Sequence, residues 1–484
     1  MKSLSPLLLI IFLAGCTLGD NKEDITYKTF DTAACKEDLK ILQGIITDMH
    51  AGAYAYNTPA QLDHIFDSIS LTIDRPLTIT AFYNKVDYII DRLKCIHSEA
   101  GFPQVFYDSI NNRPVFFPTP VVDINDRLYV NTDIQNIPLG AEIMSINNIS
   151  AKKIIDRLKT YYHTDGHSDE AKKAAIDEDF AYNFFLAYGG MESYTIAFKK
   201  DANSRVERKT FFGEKLKDID DKIYDTRFFY YASDVDYDLE IDDAYNAATI
   251  TIRTFSFDTY NAQHAFDNFL KNSFRLIKQN GIKNLIIDCR NNGGGNYSAT
   301  YSLLSYLVDK TLPESDSVFQ RFERLRFTKY IADEDTANIA DEDTAYFAYN
   351  KQPDGLYKLI DSNIKRWEPQ PDIFKGRLFV IINGHVISAA ATFASVLRDN
   401  TKAIFIGEES GGSCDAHNAS IISYVLPNTK LKIDVPLRRY YQPVVNRQPG
   451  RGIVPDKVIA LTREDLIGNF DRPISYIFDS IIVK

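Results

Sequence analysis

The chain has 484 residues, with 55 Lys and Arg against 66 Asp and Glu, a formal net charge of −11 at pH 7. Nothing in that balance suggests a nucleic-acid surface, whose partner's phosphates call for clustered cations. A hydrophobic content of 45% is that of packed globular structure, and the length predicts roughly two to four domains.

The chain opens with "MKSLSPLLLIIFLAGC": one lysine, an apolar run from Leu7 to Leu13, then Ala14 and Gly15 before Cys16. The run is too short to span a bilayer and has the order of regions found in an export signal. Its ending resembles the bacterial lipobox. That resemblance implies cleavage before Cys16 and acylation of its sulfur, with residues 1–15 a lipoprotein signal peptide and 16–34 a polar tether. Acyl chains contribute ~0.8 kcal/mol per buried methylene, enough for a stable anchor when several are attached. The expected location is the bacterial cell envelope, and Thr17 rather than Asp after Cys16 implies the outer membrane.

Residues 35–105 carry apolar side chains at helical spacing. In "ITAFYNKVDYIIDRL" the residues Phe82, Val86, Ile89, Ile90 and Leu93 fall on one stripe, predicting a helical N-terminal domain. Residues 114–213 read as a β-rich domain: "SYTIAFKK" alternates with the period of a strand, whereas the charged "HTDGHSDEAKKAAIDED" reads as a helix-compatible insertion. The last part, 220–484, has α/β texture. "NAATITIRTF" is a strand, 261–279 an amphipathic helix, and "IKNLIIDC" a continuous apolar strand of the kind covered on both faces. After a duplicated acidic stretch at 331–345 come strand 377–382, helix 388–399, strand 403–407 and a hairpin turned at Pro427 and Asn428. Strands alternating with helices predict a mainly parallel sheet, with the loops "RNNGGGN", "NGHVI" and "GEESGGS" converging at its carboxyl edge.

Two features there point to chemistry. Ser388 begins a helix, where free N–H groups favour negative charge; serine is also a preferred helix cap, and the residue alone reads as that. The "NNGGG" turn after a buried strand lets the backbone approach another group closely and aim N–H groups into a cavity, yet it lacks the lysine of a phosphate loop. Cys35, Cys95, Cys289 and Cys414 have spacings that match no metal site. No metal or cofactor is expected.

The segments "LIIDCRNNGGG" (285–295), "VIINGHVISAAATFASVLRDNTKAIFIGEESGG" (380–412) and "GRGIVPD" (450–456) resemble the core of the C-terminal processing (tail-specific) serine peptidase family. "IPLGAEIMSINNISAKKIIDRL" (137–158) is similar to the signature stretch of a PDZ domain, with Ala141 and Asn148 where Asp and Gly are usual. "RLKCIHSEAGF" (92–102) is similar to the segment after the family's helical region. The resemblance implies a ClpP/crotonase-like mixed-sheet core, a degenerate PDZ-like domain, Ser388 as nucleophile, and Gly293 or Gly294 together with Ala389 as oxyanion-hole donors. It implies a peptide or protein substrate.

The family's bacterial branch pairs its serine with a lysine about 25 residues on, but that position falls in "GGSCDAH", near Ser413, without one. The tricorn-like branch uses a histidine from the segment matched by "CIHS", which maps onto His97 and gives a Ser388–His97 pair. Ile96 stands where that branch has a serine, and no acidic residue lies in 438–455, leaving Asp456, Asp415 or an acid that no motif marks as the orienting group. His385 and His417 are alternative bases, and His50 reads as structural. A non-catalytic peptide-binding lipoprotein on the same fold is the alternative function.

Overall fold

The computed structural model describes residues 24–482 apart from 134–136, 224–225, 228–235 and 339–347. Cys16 and the signal segment lie outside the described residues, as does part of the acidic duplication. Among the described residues no helix is long and apolar enough to cross a membrane.

Three helices open the described chain: α1 (Thr32–Met49), α2 (Pro59–Leu71) and α3 (Ile79–Arg92). Each starts at an oxygen-bearing cap, Asp31, Thr58 and Thr78, whose side chain accepts a first-turn N–H that has no helical acceptor. The stripe read from the sequence is the buried face of α3: Phe82, Val86, Ile89, Ile90 and Leu93 are all at most 1% exposed. At ~1.5–3 kcal/mol for each large apolar side chain, that stripe alone fixes the helix to its neighbours. A short strand β1 (Glu99–Gly101) follows.

Next comes an antiparallel sheet ordered β2 (Val121–Asp123), β3 (Leu128–Val130), β4 (Glu142–Ile146), β5 (Ser193–Lys199) and β6 (Glu207–Phe212). Two helices lie between β4 and β5: α4 (Ala151–Leu158) and α5 (Glu170–Tyr188). The stretch read as an insertion thus contributes the turn before α5 and its first half. One continuous apolar core joins α1–α3, this sheet and its helices, and it extends to Ile433, Val435 and Leu437 near the carboxyl end of the chain.

The α/β core is built on β7 (Tyr237–Asp242), β8 (Ala247–Ile252), α6 (Tyr260–Gln279), β9 (Asn284–Asp288), α7 (Tyr297–Leu304) and β10 (Ser317–Gln320). It continues with β11 (Tyr349–Lys351), β12 (Tyr357–Leu359), β13 (Arg377–Ile382), α8 (Ser388–Asn400) and β14 (Ile404–Gly407). The hairpin β15 (Ala416–Val425) and β16 (Lys432–Tyr441) and a final β17 (Lys457–Val458) complete it. The main sheet runs β7-β8-β9-β13-β14-β17, with β7 antiparallel to β8 and every other pair parallel.

The continuous apolar run of β9 has a simple cause. Leu285 and Ile287 enter the core beneath α6 and α8, and Ile286 enters a second core on the opposite face with Phe379, Ile381 and Ile406. A second sheet, ordered β11-β12-β10-β16-β15, lies beside the first, and β1 adds to β16 with Glu99, Ala100 and Gly101 opposite Asp434, Ile433 and Lys432. That three-residue pairing carries the segment around His97 from the amino-terminal third to the core.

Candidate active site

The loops after β9, β13 and β14 converge, as their position at the carboxyl edge predicts. Ile387 N–H donates to Asn292 O at 3.3 Å, and Gly412 N–H donates to Val386 O at 3.0 Å. From this knot α8 departs. Its N-cap is Ile387, extended at φ −131°, and no side chain caps the helix. Ser388 follows at φ +51°, a left-handed conformation that serine rarely holds and that costs about 1–3 kcal/mol. The cap reading of Ser388 therefore fails: its oxygen lies instead 3.1 Å from His97 Nε2, across 291 positions of sequence. The uncapped first turn leaves N–H groups, Ala389 among them, without intrahelical acceptors.

His97 is held by what surrounds it. Ser98 N–H donates to Cys95 O at 3.2 Å, closing a turn over the histidine. His50 Nδ1 accepts Gly52 N–H at 3.0 Å, so its Nε2 carries the proton and donates to Ser98 Oγ at 2.7 Å. His163 Nδ1 donates to Ser98 O at 2.7 Å while its Nε2 faces Asp87 Oδ1 at 3.2 Å, both side chains buried. Burial would lower the His163 pKa, but Asp87 more than offsets it and the value is raised. His50 is driven down to about 3 by burial and two arginines, so it is a neutral strut. The structural role read for His50 thus has a definite content: it clamps the residue next to the imidazole.

Near the ring is Asp165, 2% exposed. Its Oδ1 accepts Ile96 N–H at 3.1 Å, while its Oδ2 and His97 Nδ1 are both buried without a hydrogen-bond partner. Ligating atoms of Cys95, His97 and Asp165 lie within 4.8 Å of one another. Burial lowers the His97 pKa and the Asp165 charge partly restores it, leaving the ring neutral near pH 7. Asp165 itself is shifted up by burial, against His97 and the Ile96 N–H.

Its turn is fixed by Gly166 N–H donating to Lys94 O at 3.0 Å and His167 N–H donating to Gly450 O at 2.8 Å. A Cβ on Gly166 would stand 2.3 Å from Gly450 Cα, so two glycines let the "GRGIVPD" stretch buttress the acid. The acids expected from sequence are placed elsewhere. Asp456 accepts from Phe405 N–H and pairs with Arg398, and Asp415 accepts from Ser413 Oγ at 2.5 Å. Nothing in spacing pointed to Asp165; the one signal was a lone Asp-Gly between two histidines.

The glycine turn packs against the serine. Gly294, at φ +98°, packs so closely that a Cβ would lie 2.7 Å from Ser388 Cβ, but its N–H donates to Asn292 Oδ1 at 2.9 Å and so is directed away from the serine. Gly293 is exposed on the turn. Gly295, at φ +133°, lines a cleft with Ser388 and Ala389, and a Cβ there would meet Phe255 C at 2.2 Å. Ala389 and Gly295 thus line the same cleft as the hydroxyl.

Tyr297, His417 and Tyr440 form the aromatic wall of this cleft, and Lys365 lies in its lining with Nζ 3.8 Å from the Trp367 ring centre. His417 is not a base for Ser388: its Nε2 is bonded to Tyr297 Oη at 2.9 Å, and burial, His97 and Arg439 push its pKa to about 3. His385 lines a separate cavity, with Nδ1 3.5 Å from Glu178.

The sequence profile of peptidase family S41 matches residues 246–459. No curated protein matches the chain. Among solved structures it is similar to mature CPAF, at 14% identity and a TM-score of 0.58 over 90% of this chain and 94% of that one. The structure of mature CPAF complexed with lactacystin gives 14% identity and a TM-score of 0.58 over 90% and 95%. A putative peptidase from Parabacteroides merdae gives 15% identity and a TM-score of 0.46 over 93% and 97%. The profile over 246–459 and the shared fold support, for this chain, the mixed α/β fold of peptidase family S41, that of the C-terminal processing proteases.

Proposed function

We propose that this chain is a serine peptidase that cleaves peptide bonds through a Ser388 acyl-enzyme, with His97 as general base and Asp165 as the charge behind it. The observation that carries the reading is the 3.1 Å approach of His97 Nε2 to Ser388 Oγ, between elements that no local constraint brings together. A neutral imidazole takes the hydroxyl proton as the oxygen attacks the carbonyl, and later gives it to the leaving amine. The Asp165 carboxylate stabilises the imidazolium formed between those steps. Ala389 N–H, backed by the amino end of α8, and Gly295 N–H stand where negative charge develops on the former carbonyl oxygen. Water then attacks the ester with His97 again as base.

The β2–β6 sheet serves as a degenerate PDZ-like module that presents the peptide, and acylation of Cys16 holds the enzyme in the bacterial envelope. Ser388→Ala and His97→Ala should each lower peptide hydrolysis by about 10⁴-fold or more. A fluorophosphonate probe should label the wild-type serine and neither variant. Failure of the probe on folded wild-type protein, with a known serine peptidase labelled alongside, would leave a peptide-binding lipoprotein.

A further inference from the structure

Cys95 has no part in the chemistry above, yet its sulfur lies within 4.8 Å of a His97 ring nitrogen and of an Asp165 carboxylate oxygen. We infer that Cys95, His97 Nδ1 and Asp165 form a binding site for a zinc-class divalent ion, and that its occupancy switches the serine off. The inhibitory half rests on the peptidase reading; the binding half does not.

Three observations support it. The ligating atoms lie within 4.8 Å of one another, and tetrahedral zinc at ~2.0–2.3 Å from each ligand sets separations of about 3.4–3.7 Å, so side-chain shifts of about 1 Å bring the three onto one ion, with water as its fourth ligand. Two of the atoms are already without partners: His97 Nδ1 and Asp165 Oδ2 are buried and unbonded, and Asp165 is 2% exposed. The ligands are also oriented from outside. Asn418 Nδ2 donates to Cys95 Sγ at 3.2 Å and Ile96 N–H donates to Asp165 Oδ1 at 3.1 Å, which leaves Oδ2 free and supplies the supporting donors that metal ligands use. Thiolate, imidazole and carboxylate suit zinc, and the two negative ligands cancel its charge, so the occupied pocket carries no net buried charge.

The switch follows from proton positions. On binding, the Cys95 thiol gives its proton to solvent and the sulfur bonds the metal as thiolate. Nδ1 likewise bonds the metal, so the single proton of the neutral ring must reside on Nε2. That nitrogen then donates toward Ser388 Oγ and has no lone pair with which to accept the hydroxyl proton. The ion silences the nucleophile without touching it.

Cobalt(II) titrated into the full reduced protein tests binding without any need for activity. Expected are one equivalent bound, a sulfur-to-cobalt charge-transfer absorption, and displacement by zinc; Cys95→Ala should abolish the absorption and weaken binding by roughly 10–100-fold. Zinc X-ray absorption on unmutated protein reads the same ligand set should Cys95→Ala not fold, with one sulfur expected. The rate of fluorophosphonate labelling, each variant normalised to its own metal-free rate, should fall about tenfold with one equivalent of zinc in wild type, recover with chelator, and be insensitive to zinc in Cys95→Ala. Absence of a sulfur ligand, a cobalt band that survives Cys95→Ala, or equal zinc inhibition in that variant overturns the site. A wild-type protein that binds cobalt through sulfur but never labels retains the metal site and loses the peptidase reading.

Discussion

Replacing Asp165 by Asn keeps the shape of the side chain and the acceptor for Ile96 N–H, and removes only the charge behind His97. The separation is within 4.8 Å; at that distance, with an effective dielectric of about 20, the attraction between a carboxylate and an imidazolium is about 3.5 kcal/mol. The imidazolium exists only while the proton is on His97, so the loss falls on the transition state and predicts a drop in kcat of about 10²- to 10³-fold, with KM nearly unchanged. A second readout follows from sign. Asp165 raises the His97 pKa against burial, so its removal lowers that pKa, and the acidic limb of the kcat/KM profile moves to lower pH even as the plateau falls. The assay is hydrolysis of a quenched fluorescent peptide from pH 5 to 9. A variant within about threefold of wild type, with an unmoved acidic limb, would refute the assignment of Asp165.

Gly294→Ala should abolish serine labelling and cost about 1–3 kcal/mol in a denaturant melt, because a Cβ at φ +98° would stand 2.7 Å from Ser388 Cβ. Ser98→Ala leaves the His50 Nε2–H buried without its acceptor, and an expected loss of about 1–3 kcal/mol in the same melt should accompany a fall in kcat rather than a rise in KM. The raised His163 pKa means that its pairing with Asp87 stabilises the fold fully below pH about 6.5 and is lost as pH rises through the folded value. Wild type minus His163→Gln stability should therefore be larger at pH 6 than at pH 8.5, and an equal difference at both would refute the pairing. Cys16→Ser should move the protein from the membrane fraction to the soluble one, and unchanged retention would end the lipid-anchor reading.

The parts of the site that the sequence made legible are those carried by local patterns. A buried strand, a three-glycine turn and a serine opening an Ala-rich helix are each written within about ten residues, as is the α3 stripe. What it hid depends on long-range closure. Asp165, His163 and Gly166 sit in a charged stretch that looks like a solvated insertion, because the partners that bury it, Lys94, Ser98 and Gly450, are scattered along the chain. The roles within "NNGGG" were equally unreadable, since which amide turns inward depends on Asn292 Oδ1 taking the Gly294 N–H. Asp456 lies next to a motif in sequence, but its carboxylate pairs with Arg398 and accepts from Phe405 N–H.

The pairing of Glu99–Gly101 with Lys432–Asp434 has a temporal meaning as well as a spatial one. A chain synthesised from its amino end displays the histidine-bearing stretch long before the ribbon that receives it has emerged. The serine waits on the same event, so the nascent polypeptide holds both reactive groups apart. Under the proposed reading, hydroxyl and imidazole therefore meet only once nearly the whole chain is present and closed, an order of assembly written into connectivity.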